Sequence, residues 1–208
     1  MERHPRIADT PQRAANCFFD GFDTNFLEML EMRQTRFLPP GAAESVRFGI
    51  GECSLGSMLV APSEWGICAI SLGDDPDALV LELQARFPRA QLSQHEHDFA
   101  SLITQVARLV ETPSMGLDLA LDVRGTAFQR WGWQALREIP EGSTASYGEI
   151  AEWISAPQKA YAVGHACASN VIAVAIPCHR VVRKNGALAG YRWGVERKRA
   201  LLEREARA

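Results

Sequence analysis

Six consecutive apolar residues, Val171 to Ile176, end at Pro177 and hand over directly to Cys178, His179 and Arg180. No other stretch restricts the fold as strongly. An apolar run bounded by polar residues has to be buried, and its β-branched members (Val171, Ile172, Val174, Ile176) make it read as a strand-like core segment. Proline fixes the backbone at the exit, so the thiol and the imidazole emerge rigidly at the mouth of a core. A histidine one residue from a cysteine can take the thiol proton, directly or through a water, and the thiolate is the reactive form. An inert buried cysteine beside a surface histidine fits the same letters, so the run by itself leaves both readings open.

A chain of 208 residues with 47% hydrophobic content can bury such a run, which excludes disorder, collagen-like structure and coiled coil. The length suits one large domain or two small ones. No segment approaches the roughly 18 uninterrupted apolar residues of a membrane helix, and the opening MERHPRIADTPQRAAN holds no apolar stretch behind its charged start. Cys17, Cys53, Cys68, Cys167 and Cys178 are odd in number and lack CxxC spacing, which favours a reducing, cytoplasmic compartment and at least one free thiol.

The net charge of −3 gives no reason to expect nucleic acid until it is divided. Residues 1–123 hold 9 Lys and Arg against 18 Asp and Glu, and residues 124–208 hold 13 against 7. The halves carry −9 and +6, so the basic half is the candidate for an anionic partner. Cations that merely solvate helix faces remain the alternative.

Along the chain, residues 1–45 are weakly organised around CFFDGFDTNFLEML, with a helix expected over about 23–33 and a Pro/Gly linker at LPPGAAES. RFGIGECSLGSMLVAP and EWGICAISLG read as the two arms of a hairpin. Residues 74–87 and 98–111 have helical spacing, and LALDV (119–123) reads as a last strand. Thr126 is a fitting N-cap for AFQRWGWQALREI, with Phe128, Trp131, Ala135, Leu136 and Ile139 on one face. Short helices over 146–154 and 158–169, the second opened by Pro157, make a helix-turn-helix candidate. All-α corners of other kinds share that shape.

Pro177-Cys178-His179-Arg180-Val181-Val182 matches the PCHRV motif of the O6-alkylguanine-DNA alkyltransferases, the methylated-DNA–protein-cysteine methyltransferases. The flanks agree: RGTAFQRWGWQALREIPEGSTASYGEIA before it, Asn170 eight positions upstream, and GYRWGVERKRALLEREA after it. Residues 46–208 are similar to the methyltransferase portion of bacterial adaptive-response proteins. The resemblance implies an α/β chain: an extension over 1–45, a ribonuclease-H-like α/β domain over 46–122, and a mostly helical, winged-helix-like DNA-binding and methyl-acceptor domain over 123–208.

It also implies irreversible repair of double-stranded DNA by a monomer without cofactor or metal, removing alkyl groups from O6-alkylguanine and O4-alkylthymine. The guanine would be flipped into a pocket, Cys178 would accept the alkyl group, and His179 would be the water-mediated base, with Glu205 completing the relay and Asn170 bracing the turn. Tyr147 and the Val181 carbonyl would contact the base, and Tyr161, Ala162, Arg180, Tyr191 and Arg192 would line the DNA or base site.

Two departures stand out. Tyr161 occupies the place of the family's inserted arginine, and Gly132 replaces a usual aliphatic residue. In the extension, Cys17 alone cannot build the four-ligand zinc site of adaptive-response proteins, and GFDTNFLEMLEMRQTRF faintly resembles a regulator-type DNA-binding domain. His95 and His97 read as a solvated pair. A lesion sensor or transcription regulator without catalysis, and a cysteine hydrolase using Cys178 and His179, are the competing functions.

Overall fold

The computed structural model describes residues 45–113 and 119–207; the expected helix at 23–33, Cys17 and the extension fall outside them. Within these residues the chain is α/β. Strands β1 (Ser45–Cys53), β2 (Gly56–Ser63) and β3 (Gly66–Gly73) form an antiparallel meander. The expected two-armed hairpin is therefore three strands, because the first apolar run turns back at Ser54-Leu55. That turn closes on Gly56, whose φ of 101° lies where a side chain is strained. Strand β4 (Gln91–Gln94) pairs in parallel with β1, giving the order β3-β2-β1-β4.

Helix α1 (Pro76–Arg86) starts where Asp75 caps the Asp77 amide and Pro76 occupies the first turn. It buries Leu79 and Leu83 against a cluster containing Val46, Phe48 and Leu59. Helix α2 (Glu96–Glu111) lies on the other side, across β1. The approach is close because Gly51 has no side chain: a Cβ there would sit 2.3 Å from the Ile103 methyl. LALDV does not become a strand. It makes a single parallel bridge, Leu121 to Ile67, through the amide–carbonyl pairs Ile67–Ala120 and Asp122–Ile67 at 2.9 Å each.

The basic half is mostly helical. Helix α3 (Ala127–Arg137) carries a complete capping box between Thr126 and Gln129. Ala135, Leu136 and Ile139 are buried and Phe128 packs against the core as expected, but the buried tryptophan is Trp133 and Trp131 faces out. The Trp133 indole donates to the Ala166 carbonyl at 2.8 Å. Strand β5 (Ala145–Ser146) leads into α4 (Tyr147–Trp153), capped by Ser146 and Glu149. A turn and one 3-10 turn, Pro157–Lys159, precede α5 (Ala160–Ser169). Last come β6 (Val181–Val182), parallel to β5, and α6 (Val195–Glu205).

Helix α6 is tied to the sheet half. Arg197 donates to the Leu55 carbonyl at 2.8 Å and Arg204 to the Val110 carbonyl at 2.9 Å. Its opposite face carries Lys198, Leu201, Leu202 and Glu205, all buried. Among the described residues no helix is long and apolar enough to cross a membrane.

Candidate active site

The apolar run that leads to Cys178 is buried, yet it is not a strand. Ile172 makes one bridge to Ile70 of β3, after which Ala173 to Ala175 turn the chain back on itself. Val174 sits at φ 64°, a conformation that costs a β-branched residue on the order of 1–3 kcal/mol. The turn persists because Asn170 clamps both its ends. The Asn170 Oδ1 accepts from the Ile172 amide at 2.9 Å, and Nδ2 donates to the Ile176 carbonyl at 2.9 Å and to Cys178 Sγ at 3.2 Å. Cys178 then opens a 3-10 turn, Cys178–Arg180. Asn170 is fully buried, so each of these bonds is made without competition from water.

The next two residues are held from α6. His179 Nε2 donates to Glu205 Oε1 at 2.7 Å with both side chains fully buried. Arg180 grips the same carboxylate, Nε to Oε2 at 3.0 Å and Nη2 to Oε1 at 3.0 Å, and sends Nη1 to the Ile139 carbonyl at 2.6 Å. Burial opposes ionisation of Glu205, but the bonds from His179 and Arg180 outweigh it and hold the carboxyl below its usual range. Burial likewise lowers the His179 pKa, reinforced by Arg180 and Lys198 and opposed by Glu205. The resting pair is therefore a carboxylate and a neutral imidazole. With Nε2–H committed to the carboxylate, Nδ1 carries the lone pair. Nδ1 is buried and has no hydrogen-bond partner among the described residues, which leaves it an unpaired acceptor one residue along the chain from Cys178.

Cys178 lies in the wall of a cavity of about 390 Å³ whose other walls are Tyr147, Gly164, Cys167, Ala168, Tyr191 and Arg192. Burial pushes the Cys178 thiol up, and the Asn170 amide and the Lys198 charge pull it down. Burial with the two neighbouring thiols raises Tyr147 to about 12, so its hydroxyl is a donor at all ordinary pH. Tyr191 stands edge-on to His179 at 6.4 Å, its hydroxyl buried and raised well above its usual range by burial.

Cys178, Tyr147, Tyr191 and Arg192 thus share one cavity, with Asn170 bonded to the thiol and the next residue, His179, bonded to Glu205. Four residues expected at the base or DNA, Arg180, Val181, Tyr161 and Ala162, do not line this cavity. The Arg180 guanidinium faces inward, spent on Glu205 and Ile139, because the buried carboxylate needs a counter-ion. The Val181 carbonyl already accepts from Lys198 Nζ at 2.5 Å. Arg192 donates to the Ala168 carbonyl at 2.6 Å and to Glu82 of α1 at 3.2 Å. Tyr161 and the half-buried Ala162 sit outside the cavity at the start of α5. Tyr161 is 82% exposed and packs edge-on against His165, 4.6 Å between centroids.

Sequence reasoning missed Lys198 and Cys167. The signal for Lys198 was present: Lys198, Leu201, Leu202 and Glu205 recur at three-to-four spacing, which places a lysine on the buried stripe of a helix.

A thiol at a cavity wall, held by an asparagine amide and followed in the chain by a neutral imidazole on a buried carboxylate, defines the candidate site. The family model for the 6-O-methylguanine DNA methyltransferase DNA-binding domain matches residues 127–207. A methylated-DNA–protein-cysteine methyltransferase of Mycolicibacterium paratuberculosis is 44% identical over 119 residues, which cover 57% of this chain and 72% of that protein. The Escherichia coli (strain K12) bifunctional transcriptional activator/DNA repair enzyme Ada is 49% identical over 179 residues, 86% of this chain and 51% of Ada. This chain therefore spans about half the length of its Ada relatives. The crystal structure of Mycobacterium tuberculosis OGT in complex with DNA superposes with a TM-score of 0.66 at 34% identity, covering 78% of this chain and 94% of that one. The chain belongs to the methylated-DNA–protein-cysteine methyltransferase family.

Proposed function

We propose that this protein repairs DNA by moving the alkyl group of O6-alkylguanine, and of O4-alkylthymine, onto its own Cys178 in a single turnover. The observation that carries the reading is the Asn170–Cys178–His179–Glu205 arrangement on the wall of a cavity large enough for a flipped base. His179 Nδ1 takes the thiol proton, directly or through one water. The sulfur lone pair attacks the O6-bound carbon in line, the new S–C bond forms as the C–O6 bond breaks, and the released electron pair returns to the purine. The Tyr147 hydroxyl donates toward the purine N3 as that charge builds, and the net proton ends on the restored guanine. The thioether product has no carbonyl for water to attack, so the thiol is not regenerated and no cofactor enters.

Helices α4 and α5 with the short β5–β6 pair serve as a winged helix-turn-helix for duplex DNA, and residues 46–122 as a ribonuclease-H-like domain beside the methyl-acceptor domain at 123–208. The exposed Tyr161 acts as the wedge at the vacated base position, stacking where an arginine would also supply a cation. A lesion sensor would need no nucleophile. The relay behind Cys178 favours transfer over sensing alone.

The test is stoichiometric: parent and Cys178→Ser proteins are incubated with excess duplex carrying one O6-methylguanine. One repaired guanine per chain and then arrest is expected, with none for the serine variant. Continued turnover, or repair by Cys178→Ser, would rule the reading out.

A further inference from the structure

The relay leaves one buried charge unused. Lys198 on α6 is fully buried, and burying an ammonium costs several kcal/mol unless something compensates for it. The neighbouring carboxylate, Glu205, is occupied by His179 and Arg180. The Lys198 ammonium instead donates to the Val181 carbonyl at 2.5 Å, one residue beyond the Cys178–Arg180 turn and in the strand paired with Ala145, two residues before Tyr147. The groups that favour its charged form are thiols, Cys178 and Cys167. In return its charge favours the thiolate of each and disfavours an imidazolium at His179. The other charged or titratable groups around the thiol are Tyr147 on α4, Arg180 in the turn, Tyr191 and Arg192 in the segment before α6, and Glu205 on α6 itself.

We propose that Lys198 is a positioning residue for the transfer: from behind the cavity it holds the Val181 carbonyl and supplies the fixed positive charge that stabilises the Cys178 thiolate. The role rests on Cys178 being the acceptor and extends that reading to a residue that does not touch the substrate. It accounts for a lysine on the apolar stripe of α6. The same cation adds to burial and Arg180 in disfavouring an imidazolium at His179, so a proton taken from the thiol is passed on rather than kept. A neighbouring unit charge moves a pKa by about one unit or more, so its loss should slow thiolate chemistry near neutral pH about tenfold.

The experiment measures the rate at which iodoacetamide alkylates Cys178 in the full chain across pH, read from the mass of the Cys178 peptide, for the parent, Lys198→Met and Lys198→Arg. Methionine retains the stem volume without the charge. The expected result is a midpoint raised by about one unit or more in a folded Lys198→Met protein, and a near-parental midpoint in Lys198→Arg. A folded Lys198→Met protein with a parental profile overturns the proposal. If methionine prevents folding, the arginine variant decides: a parental midpoint supports the charge, and a raised one overturns it. Failure of both variants to fold marks the lysine as structural and also overturns it. Iodoacetamide needs no DNA. A parental methionine profile therefore sinks the lysine's role alone, and absence of transfer from alkylated DNA with a normal thiol profile sinks the proposed function alone.

Discussion

Replacing Asn170 with alanine tests how the site is built. The side chain makes three hydrogen bonds, and they are not equivalent. The Ile172 amide bonds only to Asn170 Oδ1 and is orphaned in a fully buried position, at about 1–3 kcal/mol. The Ile176 carbonyl keeps the Cys178 amide at 2.8 Å, so its loss of Nδ2 costs only about 0.5–1 kcal/mol. The void left by the amide adds little. The sum is about 2–4 kcal/mol, or a fall in Tm of roughly 5–15 °C for a chain of this size. The Val174 conformation makes the upper end more reachable, because the clamp is what holds a strained turn. Calorimetry measures the Tm. The transfer rate from an alkylated oligonucleotide should fall about tenfold or more at a temperature where the variant is folded, since the thiolate loses a donor at 3.2 Å. A Tm within 2 °C of the parent, as a threshold of about 0.5 kcal/mol, with an unchanged rate would show that Asn170 neither braces the turn nor supports the sulfur.

Other outcomes follow from the same geometry. Gly132 is interior to α3, and a Cβ there would meet the Ala166 Cβ at 3.5 Å, an ordinary contact; Gly132→Ala should stabilise the fold by about 0.5–1 kcal/mol in urea titration, and a loss of stability would show α3 and α5 to be packed more tightly. Tyr161→Arg should accelerate repair of duplex DNA and leave repair of single strands unchanged; a duplex rate no faster than the parent's would sink the wedge argument. Acid should weaken the fold. His179 has a folded pKa below its ordinary 6.5, so the unfolded chain binds its proton first and stability drops as pH falls below that value; Glu205, held below 4.5, adds a second loss further down. A thermal melt series should decline below about 6.5 and again in the alkaline range, where the unfolded chain's thiols ionise while those of Cys53, Cys167 and Cys178, raised by burial, keep their protons; a Tm that rises as pH falls below that first value would contradict the resting protonation states.

Helical spacing, with Thr126 as a cap and Pro157 as an opener, made the helices legible, and the structure shows the local chemistry behind that spacing. Asp75-Pro76, Thr126 with Gln129, and Ser146 with Glu149 each satisfy orphan amides locally, and local signals survive in a linear reading. The misread elements depend on partners far along the chain. Val171 to Ile176 is apolar enough for a strand, but the Asn170 clamp makes it a turn. Leu119 to Val123 finds only Ile67 to bridge. Gln91 to Gln94 is too polar to announce itself, and pairs because β1 presents an open edge. The candidate site divides in the same way. The Cys178-His179 chemistry is contiguous, whereas the inward turn of Arg180 and the burial of Lys198 follow from where α6 packs.

The most direct measurement is intact-protein and peptide mass spectrometry after incubation with duplex DNA containing O6-methylguanine. The expected result is a gain of one methylene, confined to the peptide that holds Cys178 and absent from Cys178→Ser. An unchanged mass with the DNA repaired, or a methyl group found on Cys167 or any other residue, would contradict it.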